Sequence, residues 1–259
     1  MAIDIAIPKP VITSTSTKLD LNKEPASSPD QTLNTPSLLR YNLVTSDFDE
    51  LKFEAAASRQ LLQKGHQHPS TDTDSRLIAS PYNDTPHLLD LTTLDTQSRL
   101  LSLALAYFKP SRPDYATAEY LDSFNWNEVF DLLKTFSEKE GHTWTTQTFY
   151  VVSFRSRLQP NIDNEYLHAL DAYSHQEATA SGGLLKYWFG TKNEERQNLA
   201  TCIWRNRNDA RLGGRGPWHA KARAAGRELY EEIVFSTMKL VIENGVASWS
   251  MSEWTKADE

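Results

Sequence analysis

Residues 203–231 read IWRNRNDARLGGRGPWHAKARAAGRELYE and hold the densest set of charged and reactive side chains in the sequence. Arg205, Arg207, Arg211, Arg215, Lys221, Arg223 and Arg227 fall here, with Asp209 the acid among them. Within this span, Arg211-Leu-Gly-Gly214-Arg-Gly216 fits a loop that offers backbone N–H groups to a pyrophosphate at a helix N-terminus. An acyl-CoA-dependent acyltransferase would use Arg211, Gly214 and Gly216 in this way. Two features weigh against coenzyme A. Pro217 stands at the first helical position and has no N–H to offer. After Ile242 only about 15 residues remain, too few for the further helix and two strands of an acetyltransferase sheet at ordinary element lengths. Pro at the first helical position also suits a plain loop that turns into a helix. That is the favoured reading, with weak binding of another anion and the coenzyme A cradle as alternatives.

His219 sits in the first turn of the same helix, at the edge of its apolar stripe. The positive end of a helix disfavours imidazolium, so a neutral His219 is the candidate catalytic base or hydrogen-bond donor. Arg205 ends a strand whose face also carries Leu199, Thr201 and Ile203. An inward arginine there needs an anionic partner, a ligand or an internal carboxylate, and the remaining alternative is that solvent meets it at the strand end. Phe154, Tyr187, Trp188 and Trp204 are the aromatic candidates for the wall of a ligand pocket. His168 and His175 are two helical turns apart, about 10.5 Å, too far to share one metal ion, and are read as surface residues. His66-x-His68 with Asp72 and Asp74 has ligand types but lies in a polar break. No metal and no cofactor are expected. No Ser-His-Asp pattern, HExxH, Walker loop or CxxC pair occurs. Cys202, the single cysteine, is read as buried and inert.

The elements that must position these residues follow from periodicity. QTFYVVSFRSRL (147–158) alternates, with Tyr150, Val152 and Phe154 on one face and Ser153, Arg155 and Arg157 on the other. A helix over 164–183, strands over 184–190 and 199–207, a helix over 216–235 and closing strands over 238–245 and 246–254 come next. In the 216–235 helix Ala222, Ala225, Gly226, Leu229 and Ile233 form the buried stripe, and Arg227 and Glu231 pair on the solvated side. This is β-α-β-β-α-β, the order of split βαβ motifs in a ferredoxin-like unit. Upstream, 87–94 reads as a strand, 96–108 as a buried helix ended by Pro110 and Pro113, and 125–141 as a helix. The face of that last helix is Trp126, Val129, Phe130, Leu133 and Phe136, and Gly141 is its stop. Residues 1–38 are rich in Ser, Thr and Pro and read as a disordered tail. Residues 39–140 form a mainly helical extension packed on the main domain, with a flexible loop over 64–76. The main domain covers 141–255.

The Trp-bearing strand, the Asp209-Ala210 turn, the short loop and the Pro217-x-His219 helix start resemble the corresponding region of dimeric α/β-barrel proteins. That resemblance spans roughly residues 145–255. It implies an α+β fold of ferredoxin-like type and a homodimer closed through the sheet face opposite the helices. Cover of that face by the helices of 96–141 is the alternative. The superfamily includes cofactor-free monooxygenases, cyclases, dehydratases and haem-handling proteins, so the fold alone chooses no reaction. The whole chain also resembles a fungal family of conserved proteins, which lends no activity.

Composition narrows the classes. The 259 residues carry a net charge of −7, which argues against a dedicated nucleic-acid partner. The longest apolar run, near 100–108, is too short to span a bilayer, and no signal peptide is read. A cytoplasmic protein is expected, with the nucleus left open. The function expected is binding or transformation of a small, largely apolar molecule between sheet and helices. A non-catalytic protein that self-associates through its sheet is the alternative.

Overall fold

The computed structural model describes residues 75–82 and 84–258. The expectations for 1–38, for a helix within 39–63 and for a loop over 64–74 lie outside the described residues. Two short strands, β1 (Arg76–Leu77) and β2 (Leu89–Asp90), pair antiparallel. The apolar run over 87–94 is thus not one strand. Asp90 accepts the Thr92 N–H at 3.0 Å and folds Leu91–Thr93 into a single tight turn. The first helix, α1 (Thr96–Leu105), starts where Asp95 accepts the Ser98 N–H at 2.9 Å. The second, α2 (Trp126–Lys139), buries Trp126, Val129, Phe130 and Leu133 and ends before Gly141, whose φ of 63° suits glycine.

The alternating run forms β3 (Gln147–Leu158). Then come α3 (Asn164–Ser181), β4 (Leu184–Phe189), β5 (Gln197–Trp204), α4 (Arg207–Gly213), α5 (Pro217–Leu229), β6 (Tyr230–Ile242) and β7 (Trp249–Glu253). The sheet order is β4-β5-β3-β6-β7, antiparallel throughout. Without β7 this is the interleaved order of a ferredoxin-like βαββαβ unit, and β7 adds a fifth strand beside β6. The fold is α+β.

Two boundaries differ from those expected of the sequence. Residues 207–213 are a short helix rather than loop, because Asn206 accepts the Asp209 N–H at 2.9 Å and caps it. The helix begun at Pro217 stops at Leu229, and Ile233, Val234 and Phe235 belong to β6. There they pair with Ser156, Arg155 and Phe154. A long β3 needs a partner along its length, and that pairing outweighs the helical period of 230–235. Glu231 consequently pairs with Arg196 at 2.8 Å, across the strand end, and not with Arg227.

The two faces of the sheet are closed differently. On one, Phe149, Val151, Trp188, Leu199, Ile203, Leu240 and Ile242 form a single cluster with α1, α2 and the segment between them. Two polar residues of this face, Thr201 and Arg155, are met by the same segment. The Tyr120 hydroxyl lies 2.7 Å from that of Thr201. The Arg155 guanidinium donates to the carbonyls of Tyr115 at 3.3 Å and Ala116 at 2.5 Å, and to that of Ala118. Burial draws the Arg155 pKa down from its ordinary value. The face that the sequence reading gives to a second copy is therefore covered by the chain's own residues. No helix among the described residues is long and apolar enough to cross a membrane.

Candidate functional site

The other face looks toward α3 and α5, and the glycine loop opens one end of it. The N-terminus of α5 already holds an anion, the side chain of Glu177 from α3. Its Oε1 accepts the Trp218 N–H at 2.7 Å, and its Oε2 accepts the His219 N–H at 3.1 Å and the His219 Nδ1 at 3.0 Å. A carboxylate only accepts, so Nδ1 carries the His219 hydrogen. Burial alone would raise the Glu177 carboxyl, but the Trp218 N–H, the His219 ring and the His219 N–H outweigh it and hold the group below its usual range. A Cβ on Gly216 would stand 2.1 Å from Glu177 Oε2, so glycine is required for that approach. Gly213 is required in the same sense by Trp204, whose ring lies 2.3 Å from where a Cβ would be. Gly214 has no such neighbour, its nearest atom being the Ala210 carbonyl at 3.5 Å. Gly214→Ala should accordingly shift stability by less than about 0.5 kcal/mol. Gly216→Ala should cost about 1–2 kcal/mol by displacing the cap, a difference that urea melts resolve.

Deeper between the layers, α3 presents Asp171, His175 and Ala178 to the sheet. Asp171 receives two phenols. The Tyr82 hydroxyl donates to Oδ2 and the Tyr187 hydroxyl to Oδ1, each at 2.5 Å. Desolvation still dominates and raises the Asp171 carboxyl above its usual range, against those two bonds and the nearby His168 and His219. Both phenols are pushed up, first by burial and then by the Asp171 charge, so they remain protonated donors. Beside them the Nδ1 atoms of His87 and His175 lie 2.7 Å apart. The Gln176 amide nitrogen lies 3.2 Å from His87 Nε2 and donates to it. The His87 hydrogen is then on Nδ1 and is given to His175, whose own hydrogen sits on Nε2. Burial drives the His175 pKa down to about 3, with His87 and His219 adding to the effect, and lowers that of His87 as well.

The sheet beneath this cluster is unevenly covered. Val151, Leu199, Thr201 and Ile203 show no exposure on the closed face, whereas their neighbours Val152, Phe154, Ala200 and Cys202 on the helix side are all partly exposed. These are residues of β3 and β5, which have strands on both sides. Cys202 lies deep enough for burial to push its thiol pKa well up, yet it keeps accessible surface. The two observations agree if that surface faces a hollow under α3 and α5 that opens to solvent at Phe235, which is 57% exposed. Its polar end is Asp171 with Tyr82 and Tyr187. Its apolar floor runs along Phe189, Ala200, Phe154 and Phe235, which follow one another across four strands.

Residues 78–253 match the family model described as PB2B2.08-like. The chain belongs to the PB2B2.08-like family. It is similar to the UPF0643 protein PB2B2.08 of Schizosaccharomyces pombe, 38% identical over 188 residues, which is 70% of this chain and 86% of that one. Among solved structures it is similar to Rv0793 from Mycobacterium tuberculosis, with a TM-score of 0.31 and 18% identity over 34% of this chain and 91% of the other. It is also similar to a protein from Chloroflexus aurantiacus titled as a putative antibiotic biosynthesis monooxygenase. There the TM-score is 0.28 and the identity 20%, over 34% and 90% of the two chains.

The stretch matched to the PB2B2.08-like family takes in Tyr82, His87, Asp171, His175 and Tyr187. Of the residues singled out in the sequence, Tyr187 stands at this cluster and Phe154 on the floor of the hollow, its ring 5.1 Å from that of Phe235. Trp188 does not wall it. One residue on from Tyr187, it points to the opposite face and packs against Tyr115 and Phe124. Trp204 is buried beside Ala178 and under Gly213. Arg205 finds an internal carboxylate, Asp209, at 2.7 Å. Arg211 donates to Asn208 at 2.6 Å and lines an open surface groove with Trp254 and Asp258, apart from Gly216. His175 is buried, not at the surface, because α3 turns its 171-175-178 stripe toward the sheet, while Tyr166 is exposed and Tyr173 stacks on Trp218. Asp171 and Tyr82 carried no local pattern. Tyr82 and His87 arrive on an irregular segment that passes the edge of β4, where Ala79 accepts the Tyr187 N–H at 2.8 Å.

Proposed function

We propose that the protein binds a small, largely apolar molecule in the hollow between the sheet and α3 and α5, and that Asp171 exchanges a proton with it. The observation that carries this reading is the partial exposure of Val152, Phe154, Ala200 and Cys202 on the helix side of the sheet, with a desolvated carboxyl at its end. A flat apolar body lies along Phe154 and Ala200. A ligand hydroxyl donates to Asp171, or a ligand carbonyl oxygen accepts a hydrogen bond from one of the two phenols. A carboxyl raised in pKa by burial holds a proton more readily than an ordinary aspartate and can exchange it with a bound ligand. The two tyrosines, held protonated, stabilise an oxyanion formed beside it. His219 is tied to Glu177 at the start of α5, so the acid–base role expected of it passes to Asp171. The same carboxylate fills the place that a coenzyme A phosphate would need.

Native mass spectrometry of the purified protein should reveal a co-purified small molecule, and apolar hydroxylated compounds should raise its melting temperature. Asp171→Asn should weaken that binding by ten-fold or more, the scale of about 1.5–3 kcal/mol for a hydrogen bond to a charged group. Equal binding by the folded Asp171→Asn protein would remove the carboxyl from the site.

A further inference from the structure

We propose that the hollow takes a long, narrow alcohol, whose hydroxyl sits at Asp171 and whose chain runs across the sheet to leave at Phe235. This rests on the hollow being a binding site, and it sets the shape and charge of the occupant. The shape follows from the strand register. Phe189, Ala200, Phe154 and Phe235 lie on β4, β5, β3 and β6, each directly opposite the next. Three strand spacings separate the first from the last, about 14 Å. In the other direction the floor is short. The neighbouring row of Cys202, Val152 and Thr237 is also partly exposed. Beyond it Trp204 and Tyr150 are buried and fill the space. On the opposite side Ser156 and Asn198 face each other and are polar. Two rows, two residues apart along the strand, make a floor about 7 Å wide. Above it, Leu170, Ala225 and Leu229 turn the apolar stripes of α3 and α5 on each other, in a cluster that holds no residue of β3 or β5. Ala200 stands between two phenylalanines, so the floor dips where a chain would cross it.

The two ends of this trough differ in chemistry. At β4, the Phe189 ring lies 5.7 Å from that of Tyr187 and 6.0 Å from that of Tyr82. These are the two phenols that donate to Asp171. At β6, Phe235 is 57% exposed, and β7 meets that strand only from Met238 to Ile242. A polar head therefore belongs at β4 and an apolar tail at β6. The phenols have hydrogens to give, and an alcohol oxygen accepts one while its own hydrogen goes to the carboxyl. An ammonium head has no lone pair to accept either. A carboxylate head would enter beside Asp171, where the charged side chains that bear on it are His168 and His219. His87 and His175 are held toward the neutral form by burial. A desolvated carboxylate without a firm cation is strongly disfavoured.

Isothermal titration of the full chain with hexanol, octanol and decanol tests this. The dissociation constant should fall by about four-fold for each added methylene, through decanol, because the trough is long enough to cover the whole chain. Decanoate, decylamine and the compact alcohol naphthol should each bind about ten-fold or more weakly than decanol. Ala200→Phe, which raises the floor at its dip, should abolish decanol binding with unchanged circular dichroism. Because that substitution bears on folding too, a second variant is Phe235→Ser at the exposed end. It should weaken decanol by about ten-fold and so shrink its advantage over hexanol. Tightest binding by naphthol, decanoate or decylamine, or a gain that stops at hexanol, overturns the long alcohol and leaves the hollow as a site. Decanol binding that both variants retain in full places the chain elsewhere and also overturns it. Failure of every apolar compound to bind overturns this proposal together with the reading of the hollow.

Discussion

Trp188→Ala should destabilise the protein by about 3–5 kcal/mol, the usual cost of emptying a buried tryptophan site. Trp188 is 4% exposed and stands edge-on to Phe124 at 5.1 Å and to Tyr115 at 5.2 Å. It thus joins the sheet to the segment between α1 and α2. Tyr187→Phe, one residue away on the other face, removes only a hydroxyl and its bond to Asp171, and should cost about 1–3 kcal/mol. Urea titrations of the two variants measure both values on one scale. A Trp188 variant that loses less than about 1 kcal/mol would mean that 96–144 does not close this face.

Acid should unfold the protein through the histidine pair. The His175 pKa is held at about 3, well below its unfolded value of 6.5. Between those values the unfolded chain binds a proton that the folded chain refuses. Stability contributed by the neutral ring is therefore whole above pH 6.5 and is lost as the pH falls toward 3. At ~1.4 kcal/mol per pKa unit the loss is on the order of 4–5 kcal/mol. His87, also lowered, acts in the same direction. Asp171 acts in the other. Its carboxyl is raised, so the stability it contributes when protonated declines as the pH climbs from its unfolded value of 3.8. His175→Gln should flatten the pH dependence of the urea midpoint between 3 and 6.5. An unchanged acid limb would show that the ring is not held neutral.

Much of the fold could be read in the sequence because local and tertiary preferences agree there. The alternation of 147–158 is β3, the run from Trp126 to Leu133 is the buried face of α2, and Gly141 is its stop. The readings that differ are those where a distant partner decides. Tyr230–Phe235 has a helical period, but β3 needs it as a strand. Arg155 looks like part of a wet face until the carbonyls of Tyr115, Ala116 and Ala118 arrive to meet it. The candidate site was the least legible part. Tyr82, Asp171 and Tyr187 are spread over more than a hundred positions, and a single aspartate on a polar helix has no spacing to betray it. The glycine loop had the opposite problem. Its pattern announced an anion, and the anion is Glu177, a residue of the same chain on a different helix.

The cover over the closed face has a consequence for mass action. A sheet surface shielded by a second subunit is bare in dilute solution and protected only as concentration rises. Here the shield is tethered to what it shields, so its local concentration is set by chain connectivity and does not fall on dilution. The main core can therefore assemble in a single molecule, at any abundance. Only contacts made outside that core would respond to how many copies are present.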